Sequence, residues 1–304
     1  MKVRIGLGLG TRTNVGSGVF ETIVDRLEHH HADSLWLSER INGPAPDPLI
    51  ALALAAGRSN QLKLGTSVLV IPGRNPVVLA KSLATLAQLS GGRLLPALGL
   101  GAVDPIEQQA FGVERAERGR IFDEMIEVMR ACWTGEPVAY EGQYFQVSGV
   151  RVRPVPPRLD VWLGGISPAE LRRVGRHGDG WLPSFITPRD AERGRLAIET
   201  ECAERGRIIE DDHYGVLIPY RSTGAPIPEH LLATLSKRRP DLDDPSVLVP
   251  DLEEGLGRLI EEFVAVGTTK FVVLPIDEPG TPDSWTDHID RLATTVFPLE
   301  RETT

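Results

Sequence analysis

Three short stretches of this chain carry residue types that could do chemistry. Trp36-Leu37-Ser38-Glu39-Arg40 ends an apolar run with a carboxylate and a guanidinium side by side. That pair suits acid/base work or the anchoring of a polar ring, and equally a rim ion pair of little energetic weight. Gly99-Leu100-Gly101 lets backbone come close to a ligand or simply permits a tight turn, and its spacing does not make a dinucleotide fingerprint. Gly164-Gly165-Ile166-Ser167-Pro168 sets two glycines before a natural N-cap serine and a proline at the first helical position. The free amides of such a helix start attract anions, with Arg172, Arg173 and Arg176 close in sequence; the other reading is a well-capped surface helix. Leu62–Val70, by contrast, reads from composition as ordinary buried strand.

Other candidates are weaker. His29-His30-His31 would point in different directions on a helix, and neither a zinc spacing nor a Ser-His-Asp arrangement is evident, so no metal is expected. His177 reads as a cation at a helix C-terminus. Cys132 and Cys202 fall far apart inside helical patterns, which suits packing rather than a disulfide or a nucleophile.

The elements that must position these residues alternate regularly. Strands are expected at Val3–Leu9, Asp33–Glu39, Lys63–Val70, Leu94–Gly101, Asp160–Gly165, Gly180–Ser184, Tyr214–Arg221 and Lys270–Ile276. Between them run helices: from a cap at Ser17 to His30, from Asp47-Pro48 to Arg58, from Asn75-Pro76 to Leu89, and over Arg118–Trp133, Pro168–His177, Asp190–Arg205, Asp251–Val266 and Asp283–Phe297. Two stretches interrupt the rhythm: a hairpin excursion near 138–157, and a proline-rich segment near 222–250 with a helix at Pro228–Lys237. Eight strand–helix pairs predict an α/β fold, a TIM (β/α)8 barrel forming one domain over 1–304, rather than a doubly wound sheet. In such a barrel chemistry gathers at the C-terminal strand ends, where all three stretches fall. A phosphate site after the fifth strand is unusual, since barrels more often place one after the seventh and eighth.

Composition narrows the partners. The 304 residues are 41% hydrophobic and 25% charged with a formal net charge of -9, so no nucleic-acid partner is expected. The chain has no apolar run of membrane-spanning length and enters a strand at once, which sets a cytoplasmic expectation.

Several stretches together resemble the bacterial luciferase-like monooxygenase superfamily, especially its deazaflavin-dependent oxidoreductases. They are Asp33–Glu39, Leu64–Leu69, Arg74–Lys81, Leu89–Leu94, Trp162–Pro168 and Gly178-Asp179-Gly180-Trp181, which cover most of residues 1–185. The resemblance implies a barrel that binds a small-molecule substrate and usually dimerises. It implies a ring over Ser67, Val68 and Leu69 with a non-proline cis peptide at Ser67–Val68, glycines Gly99 and Gly101 beside it, a phosphate on Gly164, Gly165, Ile166 and Ser167, and Trp181 nearby. Glu39 matches an acidic residue that members place near the ring, and with Arg40 forms the expected catalytic pair. Two departures stand out. Members acting on sugar phosphates or alcohols often follow the acid with histidine, where this chain has Arg40, and carry a glutamate soon after the fourth-strand glycines, where it has Ala102 and Val103. The leading expectation is hydride transfer with coenzyme F420. The alternatives are an FMN-dependent monooxygenase fed by a separate reductase, and a barrel that binds flavin or a metabolite without catalysis.

Overall fold

A computed structural model describes residues 2–16 and 18–301. Among these residues, parallel strands close on themselves. Arg4–Leu9 lies between Ser34–Leu37 and Lys270–Pro275, and Lys63–Thr66 follows beyond Ser34–Leu37. The fourth strand is Leu94–Leu95 and Ala97–Gly99, interrupted at Pro96; the fifth is Trp162–Leu163 and the sixth Gly180–Trp181. Bridges from Trp181 to Tyr214 and from Ser184 to Leu217 join the sixth to the seventh, Gly215–Tyr220, which pairs with Lys270–Pro275 and completes the ring. This is the expected barrel, with strands shorter than their apolar runs.

The barrel interior holds Trp36, Ala97, Trp162, Leu182, Leu217 and Val272, with Trp36 and Trp162 edge to face at 6.3 Å. The helices that alternate with the strands bury apolar faces in the main core, as Ile23, Leu52, Leu83, Ile126, Ile260 and Ile289 do. Caps fix several helices where the sequence puts them. Asn75 accepts from the Val77 and Val78 amides at 3.0 and 3.1 Å and opens Pro76–Leu89. Asp47 does the same for Pro48–Arg58, and Arg118–Trp133 and Pro168–His177 have their expected bounds. After Leu89, Arg93 turns back to the carbonyls of Ala56, Ser59, Leu62 and Ser90, tying the helix ends together. The cap expected at Ser17 falls outside the described residues; the helix Val19–His29 follows Gly18 in a left-handed conformation.

The excursion near 138–157 is a hairpin, Val138–Glu141 against Gln146–Val150. The proline-rich segment carries the helix Glu229–Arg238 and a short turn at Pro245–Leu248, with a small core of Leu235, Leu248 and Val249. Because it follows the seventh strand, this helix lies at the rim of the barrel mouth.

The third strand differs from its expectation. It is not continuous over Lys63–Val70 but breaks after Thr66 and resumes at Leu69–Val70, now paired with the fourth strand. The Ser67–Val68 peptide between them is cis. Thr66 fills the gap: its hydroxyl donates to the Ala97 carbonyl at 2.7 Å and accepts from the Ala97 amide at 2.9 Å.

Candidate active site

The C-terminal strand ends surround a cavity of about 510 Å³. Its floor is apolar, made by Val68, Leu98, Leu163, Leu182, Leu217 and Leu274. Of the residues singled out in the sequence, Glu39, Arg40, Ser67, Val68, Gly99, Gly101, Gly164 and Gly165 all line it.

The break in the third strand makes the platform. The Ser67 amide donates to the Leu37 carbonyl at 2.7 Å and Ser38 Oγ donates to the Ser67 carbonyl at 3.0 Å, so the second strand holds the bulge from one side. Gly99 makes room on the other, since a Cβ there would sit 2.2 Å from Val68 Cγ2. Val68 therefore packs against the fourth strand and faces the cavity.

Glu39 staples this platform. Its side chain is 2% exposed; Oε2 accepts from the Val70 amide at 2.7 Å and Oε1 pairs with Arg74. Arg74 also donates from Nε to the Val70 carbonyl at 2.8 Å. Burial pushes the Glu39 carboxyl up from its ordinary value, against the pull of Arg74 and the Val70 amide. Arg40 pairs with Asp104 at 2.5 Å and lies 3.6 Å from Glu107. Glu107, 3% exposed, takes the Ile41 and Asn42 amides at 2.5 and 3.1 Å. A glutamate thus does reach the cavity wall near the fourth strand, from the helix Pro105–Phe111 rather than directly after the glycines.

Across the cavity, Ser167 caps Pro168–His177 as expected, and its hydroxyl accepts from the Glu170 amide at 3.4 Å. Gly165 stands at φ 92°, a conformation L side chains rarely adopt. The Ile166 and Ser167 amides both donate to Glu170 Oε2, at 3.1 and 2.9 Å. The chain's own carboxylate thus occupies the predicted anion cradle, which shows that these amides converge on an anion. Trp181 Nε1 donates to the Gly165 carbonyl at 2.9 Å and braces the cradle from behind.

Not every residue lies where expected. Leu69 is fully buried in the main core, because the break turns Val68 and Val70 to the cavity and Leu69 away from it. Trp181 and Ile166 line a second, adjoining hollow rather than the main cavity. His177 ends the helix Pro168–His177, 4.0 Å from Asp123; burial pushes its pKa below the ordinary value, against the pull of Asp123. Cys132 and Cys202 are buried free thiols, and burial pushes both up. His30 pairs with Asp290 at 2.8 Å. Glu210, Asp212 and His213 do come together, but before the seventh strand, at the opposite end of the barrel, where Lys2 and Arg158 already pair with the two acids.

Arg74, Glu107, Glu170 and Arg238 were missed as cavity or platform residues. Only Glu170 left a signal, the Ser-x-x-Glu spacing of a capping box.

Solved structures of the same architecture cover nearly the whole chain. An F420-dependent secondary alcohol dehydrogenase in complex with an F420–acetone adduct superimposes with a TM-score of 0.79 at 20% identity, over 99% of this chain and 100% of that one. The FMN-bound oxygenating constituent of 3,6-diketocamphane monooxygenase from Pseudomonas putida gives 0.79 at 18% identity, over all of both chains. Among curated proteins, an F420-dependent glucose-6-phosphate dehydrogenase of Nocardia farcinica is 34% identical over 198 residues, 60% of this chain and 58% of that relative. The match thus spans little more than half of that relative's length. The model of the luciferase-like monooxygenases matches residues 9–220. The chain belongs to the luciferase-like monooxygenase family.

Proposed function

We propose that the chain works as one barrel domain and is an oxidoreductase that binds coenzyme F420 and acts on a small organic substrate. One observation carries this reading: an apolar-floored cavity has a rigid platform at Ser67–Val68 on one side and reaches, through Gly164, Gly165 and Glu170, the anion cradle of the Ile166 and Ser167 amides on the other. A flat apolar ring with a phosphate on its side arm fits that combination. The residues present suit such a group, because Gly99 leaves the platform open and the cradle amides already hold a carboxylate. When bound, the deazaflavin would supply the hydride chemistry.

The chain's own residues would bind, orient and exclude water. With both oxygens engaged, Glu39 would act by fixing the ring platform, and Glu39→Ala is expected to weaken cofactor binding about tenfold or more, the scale of lost charged hydrogen bonds. Arg40 would steady an anionic substrate or cofactor at the cavity wall, held in place by Asp104 and Glu107. The apolar floor would shield the reacting face from water. Exposed Ile50 and Leu54, one turn apart on the second helix, with Val78 on the third, favour a homodimer through that face.

The test is to titrate the purified protein with F420 and with FMN and follow quenching of each fluorophore. Saturable binding of F420 in preference to FMN supports the reading. Preference for FMN, with oxygen consumed once the flavin is reduced, favours the monooxygenase and its separate reductase. No binding of either overturns both.

A further inference from the structure

The second hollow, about 350 Å³, opens beside the anion cradle. Ile166, whose amide belongs to the cradle, forms part of its wall, and Arg238 lines both the hollow and the main cavity. A chain leaving a phosphate at the cradle would therefore run past Ile166 into this hollow and meet Arg238.

The charges there do not balance. Three arginines, Arg193, Arg238 and Arg239, stand with two acids, Asp190 and Asp241. Arg239 pairs with Asp190 at 2.8 Å and Asp241 at 2.7 Å, and Arg193 pairs with Asp190 at 2.5 Å. Arg238 pairs with no carboxylate among the described residues. It lies over the Phe185 ring at 5.2 Å from the centroid, and Phe185 has φ 58°, an outlier for a bulky residue. The Phe185 carbonyl is in turn held by Arg239 Nη1 at 2.9 Å. The hollow thus presents one guanidinium in a fixed place with its hydrogen-bonding face uncommitted, which is the geometry a carboxylate recognises.

We propose that this hollow receives the acidic tail that a deazaflavin cofactor carries beyond its phosphodiester, and that Arg238 pairs with a carboxylate of that tail. FMN ends at its phosphate and cannot reach Arg238 in this way. The hollow therefore selects the deazaflavin over the flavin, a step that rests on the cofactor reading above and names the residue behind it. Arg238 comes from the helix Glu229–Arg238, so the insertion near 222–250 would serve cofactor choice.

The experiment measures dissociation constants of F420 and FMN, by fluorescence quenching, for the unaltered protein, Arg238→Gln and Arg238→Glu, at low and at near-physiological salt. The side chain is exposed, so both variants should fold, and FMN is the internal control for a disturbed rim. The expected result is a rise in the F420 constant of about fivefold for Gln and more for Glu, the effect of one charged hydrogen bond, with FMN changed less than about twofold. Salt should weaken F420 binding by the unaltered protein more than by either variant. An unchanged F420 constant in Arg238→Glu would overturn the proposal, as would an equal loss for FMN. Failure of the unaltered protein to bind either cofactor would overturn the reading on which it rests, and the proposal with it.

Discussion

The two ends of the barrel are made by the same strands and treat charge in opposite ways. At the N-terminal end, Asp33 is buried with its side chain 4% exposed and surrounded by Lys270, Lys63 and Arg4. Burial alone would raise the Asp33 carboxyl, but Lys270 and Lys63 outweigh it and hold the group well below its ordinary value. Lys270 also lies 5.7 Å from the Trp36 ring centroid, closing the barrel floor. At the C-terminal end the strands stop early, the third one breaks, and the cradle amides meet the Glu170 carboxylate. At one end the charges are matched only to each other; the other also pairs Glu39 with Arg74 and Arg40 with Asp104, yet leaves an apolar floor and the Arg238 guanidinium to meet a ligand. The difference separates stability from function along a single axis.

The largest expected effect breaks the sealed end. Asp33→Asn leaves Lys270 buried without its counter-ion and should lower unfolding stability by about 3–5 kcal/mol in urea titration. Cofactor affinity of the folded protein should stay within about twofold, since a local change at the sealed end should not reach the mouth. Loss of both would dissolve the contrast between the ends. Gly99→Ala attacks the open end: the added Cβ must displace Val68, and F420 or FMN binding should fall sharply while stability drops by only about 1–3 kcal/mol.

A smaller change sharpens the open end in the other direction. Glu170→Gln keeps the shape of the capping box but removes the charge that competes with phosphate. FMN should bind about five- to tenfold tighter, an effect of roughly 1 kcal/mol, while riboflavin, which lacks the phosphate, should be unaffected. Equal changes for both flavins would show that Glu170 does not guard the cradle.

The last expected effect is on pH. Glu300, also at the sealed end, accepts from the Ile5 amide at 2.7 Å, and burial pushes it up to about 7 from an ordinary 4.5. Between those values the unfolded chain is ionised and the folded one is not, so stability falls as pH rises from about 4.5 to about 7. Asp33 works with the opposite sign: its contribution is present above its ordinary 3.8 and is lost as pH drops below that value. Glu300→Gln should flatten the upper part of the stability profile and leave the acid limb in place, as read from denaturation midpoints across pH.

How much of this the sequence showed depended on range. Helix limits at Asn75 and Ser167 were legible because a cap acts within three residues of itself. The barrel was legible because each strand–helix pair repeats a local pattern. The broken third strand was not, since Val68 and Val70 are as apolar as any core residue and it is tertiary contacts, from Ser38, Glu39 and Gly99, that re-aim them. Leu69 was misplaced for the same reason. Glu39 and Arg40 were found as a pair, yet their partners Arg74, Asp104 and Glu107 lie 35 to 67 residues away. The helix that carries Arg238 was expected to within one residue at each end, but nothing local to Arg238 signals a cavity shared with residues more than seventy positions away.

The most direct test of the account is the structure of the protein with F420 bound. The account predicts the ring on the Ser67–Val68 platform, the phosphate on the Ile166 and Ser167 amides, and the Glu170 carboxylate turned away from both. A ligand bound elsewhere, or one bound with Glu170 still seated on those amides, would contradict it.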